Sequence, residues 1–205
     1  MTNNPIITTQ KPTAPNHRLI PFFIYSRIQH SPMARSDSFF IRAKLSALTG
    51  GAGGFTTENI DLGSFVDALG KTVLRIHNVS VQYTYGAFVA PSIAAGNDEG
   101  ITSWQITTQN QTAMVDASNR TLISSGALVA ANNSAVGNTV TFVSQDIDVS
   151  PQKWQNGYLI AVESIQLAGQ SSANFTSTCD VSVVLECTVE TMTAAASMAL
   201  ALSQQ

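Results

Sequence analysis

From Cys179 to Glu190 the chain alternates with a period of two. Cys179, Val181, Val183, Leu185, Cys187 and Val189 are apolar, while Asp180, Ser182, Glu186, Thr188 and Glu190 between them are polar, with Val184 the one exception. A helix cannot gather side chains spaced by two onto one face, but a β-strand puts them all on one side of its sheet. A strand with one apolar side needs a second apolar layer to cover it, so the chain is restricted to sheets packed face to face or against a cover. At about 3.3 Å per residue the two cysteines lie roughly 26 Å apart along this strand, far beyond disulfide reach. The expectation is two reduced, buried thiols without a metal or redox role.

The same period marks Phe39–Leu48, with Phe39, Ile41, Ala43, Leu45 and Ala47 on one face and Arg42, Lys44 and Ser46 on the other. Across 74–85 the apolar parity changes from even (Leu74, Ile76) to odd (Val79, Val81, Tyr83, Tyr85), which predicts a bulge near His77-Asn78. Further strands are expected at 101–108, 122–130, 139–149, 157–167 and 176–190, separated by clusters of Gly, Asn, Ser and Pro. A single helical turn is expected at 64–70, with Ser64 as its N-cap and Gly70 as its stop. The glycine-rich 50–54 lacks a following Lys-Ser/Thr and reads as a connection, not a phosphate loop.

Seven or eight strands with long connections and almost no helix describe an all-β fold, an antiparallel β-sandwich or single jelly roll. No fixed repeat points to a propeller or solenoid. The uncharged Ala, Met and Leu segment 192–202 favours a short C-terminal helical extension, and at eleven residues it cannot span a bilayer. The expected organisation is an extended arm over 1–36, a sandwich over 37–191 and a tail over 192–205.

Charge divides the chain in the same way. Residues 1–44 hold six basic side chains, Lys11, Arg18, Arg27, Arg35, Arg42 and Lys44, against Asp37 alone, a balance of +5, while the remainder carries −8. Five of the seven prolines lie in the first 36 residues, blocking helix interior and central strand, so the arm is extended and basic. A basic arm on an acidic body points to two different neighbours, one of them a polyanion. The knot Phe22, Phe23 and Tyr25 suits docking on the body or on another subunit, with base stacking beside Arg18 and Arg27 as the alternative. Charged residues make up 11% of the chain, well under the usual ~25%. A polar but weakly charged surface fits a protein covered by its own copies, and equally an extracellular protein. No leader of basic and then apolar residues opens the sequence, which predicts synthesis in the cytosol unless a leader has been removed.

Catalytic patterns are missing. His17, His30 and His77 have no second ligand at helical or hairpin spacing, and Ser150 to Lys153 matches Ser-x-x-Lys only at a proline turn without its companion motifs. The expectation is a protein that is not an enzyme and carries no cofactor. Calcium is the one ion with candidate oxygen ligands, Asp98 and Glu99 in a glycine-bounded loop and Asp146 and Asp148 on one strand face.

An extended basic arm, a body of seven or eight strands, low charge and a short C-terminal extension together resemble the single jelly-roll coat proteins of small icosahedral viruses. The resemblance covers the whole chain as an arrangement and rests on no diagnostic motif. It implies a shell of many copies, located in the virion after synthesis in a host cytoplasm. Phe22, Phe23, Tyr25, Met198 and Leu200 would then meet neighbouring subunits, and Lys11, Arg18, Arg27 and Arg35, joined by Arg42 and Lys44, would face the genome. Genome-binding arms commonly carry dense runs of cations, whereas these are single and widely spaced, so strapping of subunits and contact with phosphate both remain open. The alternative is a secreted or surface carbohydrate-binding β-sandwich, which requires an exposed aromatic near Trp104 or Trp154.

Overall fold

The structure is a computed structural model that describes residues 37–49, 54–67, 71–148 and 152–205, with the side chains of 146–148 excepted. Among the described residues nine strands and one helix follow each other: β1 (Phe39–Leu48), β2 (Thr56–Asp61), β3 (Thr72–Tyr85), β4 (Asp98–Thr107), β5 (Leu122–Asn132), β6 (Phe142–Asp148), β7 (Lys153–Ile160), β8 (Ser164–Ser171), β9 (Cys179–Thr191) and α1 (Ala194–Ser203). They form an antiparallel β-sandwich of two sheets, ordered β1-β9-β3-β7 and β2-β8-β4-β5-β6.

The pairing is nested. β1 pairs with β9, β2 with β8, β3 with β7 and β4 with β5, as in one long hairpin folded on itself. Two further ladders, β3 with β9 and β4 with β8, roll that hairpin into two facing sheets. This is the eight-stranded jelly roll, with β6 added at the edge beside β5.

The alternation read in the sequence decides which side is filled. From the first sheet Leu45, Leu48, Leu74, Ile76, Val79, Val181, Val183, Leu185 and both cysteines point inward. They meet Ile60, Trp104, Ile106, Leu128, Ile165 and Leu167 of the second. A polar thread crosses between the sheets: Tyr85 Oη lies 2.9 Å from Thr102 Oγ1, which lies 2.8 Å from Ser171 Oγ. Both thiols are free and buried, and burial pushes Cys187 up to about 12. The β3 register shifts between Ile76 and Asn78, so His77 occupies the expected bulge.

Four local expectations need correction. β1 also bulges, between Leu45 and Leu48, and Ala47 adopts φ 55°, so Leu48 turns inward in place of Ala47. The span 157–167 is two strands, broken at 161–163. β2 was not marked by the alternation because only Ile60 of its six residues is buried. The turn after β2 is capped by Asp61, three positions before Ser64: Gly63 N donates to Asp61 Oδ1 at 2.8 Å, and Val66 N closes the turn on Leu62 O, while the expected stop Gly70 lies outside the described residues.

The tail docks on its own body. Thr193 caps α1, and Leu200 and Ala201 pack with Val73, Leu159 and Ala161 on the outer side of the first sheet. Gln204 then reads the backbone of β7 and the residue after it, accepting from Ala161 N at 2.9 Å and donating to Leu159 O at 2.7 Å. Beside it, on the same outer side, the Arg75 guanidinium grips Glu190, with Nη2 2.7 Å from Oε2. That hydrogen bond holds the Glu190 carboxyl below its ordinary range, as the Lys44 hydrogen bond does for Asp180.

Two predictions follow from the packing and from these pairs. Leu185→Ala, at a fully buried point where β9 meets both β1 and β3, will cost about 2–5 kcal/mol in urea unfolding. Because both carboxylates titrate lower folded than unfolded, their contribution is complete above the ordinary carboxylate range and is lost as pH falls through the folded values. Glu190→Gln will therefore flatten the acid limb of a plot of urea midpoint against pH, and an unchanged limb would show that the pair contributes nothing.

Candidate functional site

Nested pairing sends the connections β1–β2, β3–β4, β5–β6 and β8–β9 to the same end of the sandwich. There the loops support one another through backbone groups. Ile93 bridges both Thr139 and Phe175, Asn97 N donates to Ser134 O, and Asn132 Nδ2 donates to Ala95 O and Val136 O. Asn174 Nδ2 adds bonds to Asp98 Oδ1 and Glu99 O. A Cβ on Gly96 would sit 2.5 Å from Ala135 O, so this close approach of two loops requires glycine. The result is a rigid platform built from loops, the usual place for recognition on a β-sandwich.

Large apolar side chains of the platform meet solvent beside polar ones such as Asn97 and Asn133. Phe88 is 81% exposed and Val136 70%, and Val89 and, at the adjoining strand starts, Ile101, Phe142 and Val143 are exposed as well. Phe88 also holds φ 62°, a left-handed backbone unusual for an aromatic residue. Two depressions lie at this end. One, of about 370 Å³, is lined by Asn97, Asp98, Glu99, Ala131 and Asn133, and the other, of about 260 Å³, by residues including Leu48, Phe175 and Thr178.

The expected calcium ligands divide. Asp98 and Glu99 line the first depression, but Asp98 Oδ1 already accepts from Asn174 Nδ2 and Glu99 N. The side chains of Asp146 and Asp148 lie outside the described residues. Among the described residues no group of three His, Cys, Asp or Glu is gathered closely enough to hold a metal ion.

Of the basic residues, Lys11, Arg18, Arg27 and Arg35 lie outside the described residues, as do Phe22, Phe23 and Tyr25. Arg42 and Lys44 share the exposed face of β1, as their spacing requires. Lys44 Nζ is 2.7 Å from Asp180 Oδ2, and the Arg42 guanidinium sits 5.7 Å from the centre of the exposed Phe40 ring. Two of the six described cations, Lys44 and Arg75, thus lie within ion-pair distance of acids on neighbouring strands. At the tail, Leu200 belongs to the cluster packed on the body, whereas Met198 and Leu202, four positions apart, face solvent together. Trp104 is fully buried, and Trp154 is half-buried against the core with its ring 5.8 Å from that of Tyr158. Trp104 therefore offers no platform for a sugar.

The connection between β4 and β5 is a feature that the sequence did not announce. It folds back over the outer face of the second sheet, held by two buried glutamines. Gln105 donates to Ala113 O at 3.1 Å and accepts from Val115 N at 2.8 Å, and Gln166 accepts from Gln111 N at 2.6 Å. Glutamine at outward strand positions is an ordinary solvent-facing residue until the loop above it is placed. Among the described residues no helix is long and apolar enough to cross a membrane.

No family profile and no curated protein matches this chain. A solved structure titled Desmodium yellow mottle tymovirus is similar at 8% identity and a TM-score of 0.33, over 92% of this chain and 96% of its own. Overlap that loose fixes neither ancestry nor role.

Proposed function

We propose that this chain is a structural protein that self-assembles with many copies of itself into a viral capsid shell. The observation that carries the reading is the loop platform, where large apolar side chains as exposed as Phe88 and Val136 stand on a rigid, hydrogen-bonded base. A monomer in water gains nothing from such a surface, whereas contact with another subunit buries it. Low overall charge and ion pairs closed within the sheet favour the same outcome, since little like-charge repulsion opposes crowding. In this reading residues 1–36 strap neighbouring subunits and bring Lys11, Arg18, Arg27 and Arg35 to phosphate, with Arg42 of β1 beside them in sequence. The role is structural, not catalytic, and the protein resides in the virion.

Size-exclusion chromatography with negative-stain microscopy tests this directly: uniform shells are expected, and a stable monomer at high concentration overturns the proposal. Phe88→Ser combined with Val136→Ser will weaken assembly while leaving the circular dichroism spectrum of the body intact. Removal of residues 1–36 will give unstable, smaller or irregular shells with less co-purified nucleic acid. Truncated protein that assembles and packages normally would remove the arm from the mechanism.

A further inference from the structure

Asn156-Gly157 is the chain's sole Asn-Gly pair, and it lies in β7 at the edge of the first sheet, opposite the bulge at His77. Asn156 is exposed. Gly157 holds φ 71°, and a Cβ there would sit 2.5 Å from Arg75 Cγ, 2.7 Å from Arg75 Cδ and 3.0 Å from Ile76 O. The Arg75 stem therefore leaves room for no other residue at 157. The same arginine donates through Nη1 to the Asn156 backbone oxygen, while Nε and Nη2 are held by the two oxygens of Glu190. A fixed cation thus rests on the peptide that joins Asn156 to Gly157.

From this arrangement we propose that Asn156 is a site of spontaneous succinimide formation and deamidation, promoted by Arg75. The Gly157 backbone nitrogen loses its proton and attacks Asn156 Cγ. A new bond forms between nitrogen and Cγ, the bond from Cγ to Nδ2 breaks, and Nδ2 takes up a proton and leaves as ammonia. Water then opens the ring at either carbonyl, giving aspartate or isoaspartate, and no oxidant or reductant takes part. The nucleophile is a peptide anion whose charge spreads onto the Asn156 oxygen, where the Arg75 N–H already donates. A cation aimed at the atom where charge develops lowers the barrier without reorganisation. Glycine contributes by leaving the attacking nitrogen unshielded. The product places a new carboxylate beside Arg75, where it competes with Glu190 for the guanidinium, and the isoaspartate form also lengthens the β7 backbone.

The test is peptide mass spectrometry of the full chain incubated at mildly alkaline pH, with isoaspartate detected by enzymatic methyl transfer. In the folded protein position 156 is expected to convert before every other asparagine, and faster than in the same protein unfolded in urea. Arg75→Gln, with its fold checked by circular dichroism, is expected to slow conversion about tenfold, the effect of one charge-assisted hydrogen bond. Should that variant fail to fold, the folded and urea-unfolded wild type decide the matter alone. Conversion in the folded chain no faster than in the unfolded chain, or an unchanged rate in a folded Arg75→Gln, would overturn the proposal.

Discussion

The ladder on both sides of β9 is the constraint from which the rest follows. β9 is thirteen residues long and is paired with β1 on one edge and β3 on the other, so its register is fixed twice. A slip of one position would turn Cys179, Val181, Val183, Leu185 and Cys187 to solvent together. Each strand that reaches β9 must bring its own inward residues to the same depth, and bulges at His77 and after Leu45 make that adjustment. Once β1 and β3 are set, nesting leaves little freedom: β2 must find β8 and β4 must find β5. The strands furthest apart in sequence are thereby held side by side, which makes this a fold of long-range pairing and costly loop closure.

What the sequence displayed and what it hid separate along physical lines. β9, β1 and the bulge in β3 were legible because one buried face writes a period of two. β2 was not, because an edge strand with a single buried residue, Ile60, leaves no period to read. The break at 161–163 was hidden because apolar residues continue through it: Ile160 and Ala161 are both buried, one in the main core and one beneath α1. Parity after Leu45 failed because a left-handed Ala47 carries no signature that an ordinary alanine lacks. The loop platform was beyond any local reading. Phe88 lies between β3 and β4 and Val136 between β5 and β6, and only the nested topology brings these two connections to one end.

Surface and interior follow different rules in this molecule. Inside, the hydroxyls of Tyr85, Thr102 and Ser171 are tied in one short chain. On the outer faces, glutamines hold segments that carry no sheet hydrogen bonds of their own: Gln105 and Gln166 hold the β4–β5 connection, and Gln204 holds the tail. Glutamine suits this role because its amide both donates and accepts, as a peptide group does, and stays uncharged when buried. The low charge of the chain is therefore partly structural, since uncharged amides do work elsewhere left to ions.

Gln204 has a wider meaning for this reason. β7 ends the first sheet, and an unpaired sheet edge is a template on which another chain can add a strand. By occupying Leu159 O and Ala161 N, the Gln204 amide takes up two backbone groups at the C-terminal end of β7, as a neighbouring strand would. A strand adding at the C-terminal end of β7 would first have to displace the tail, so docking of α1 and protection of this part of the sheet are one event.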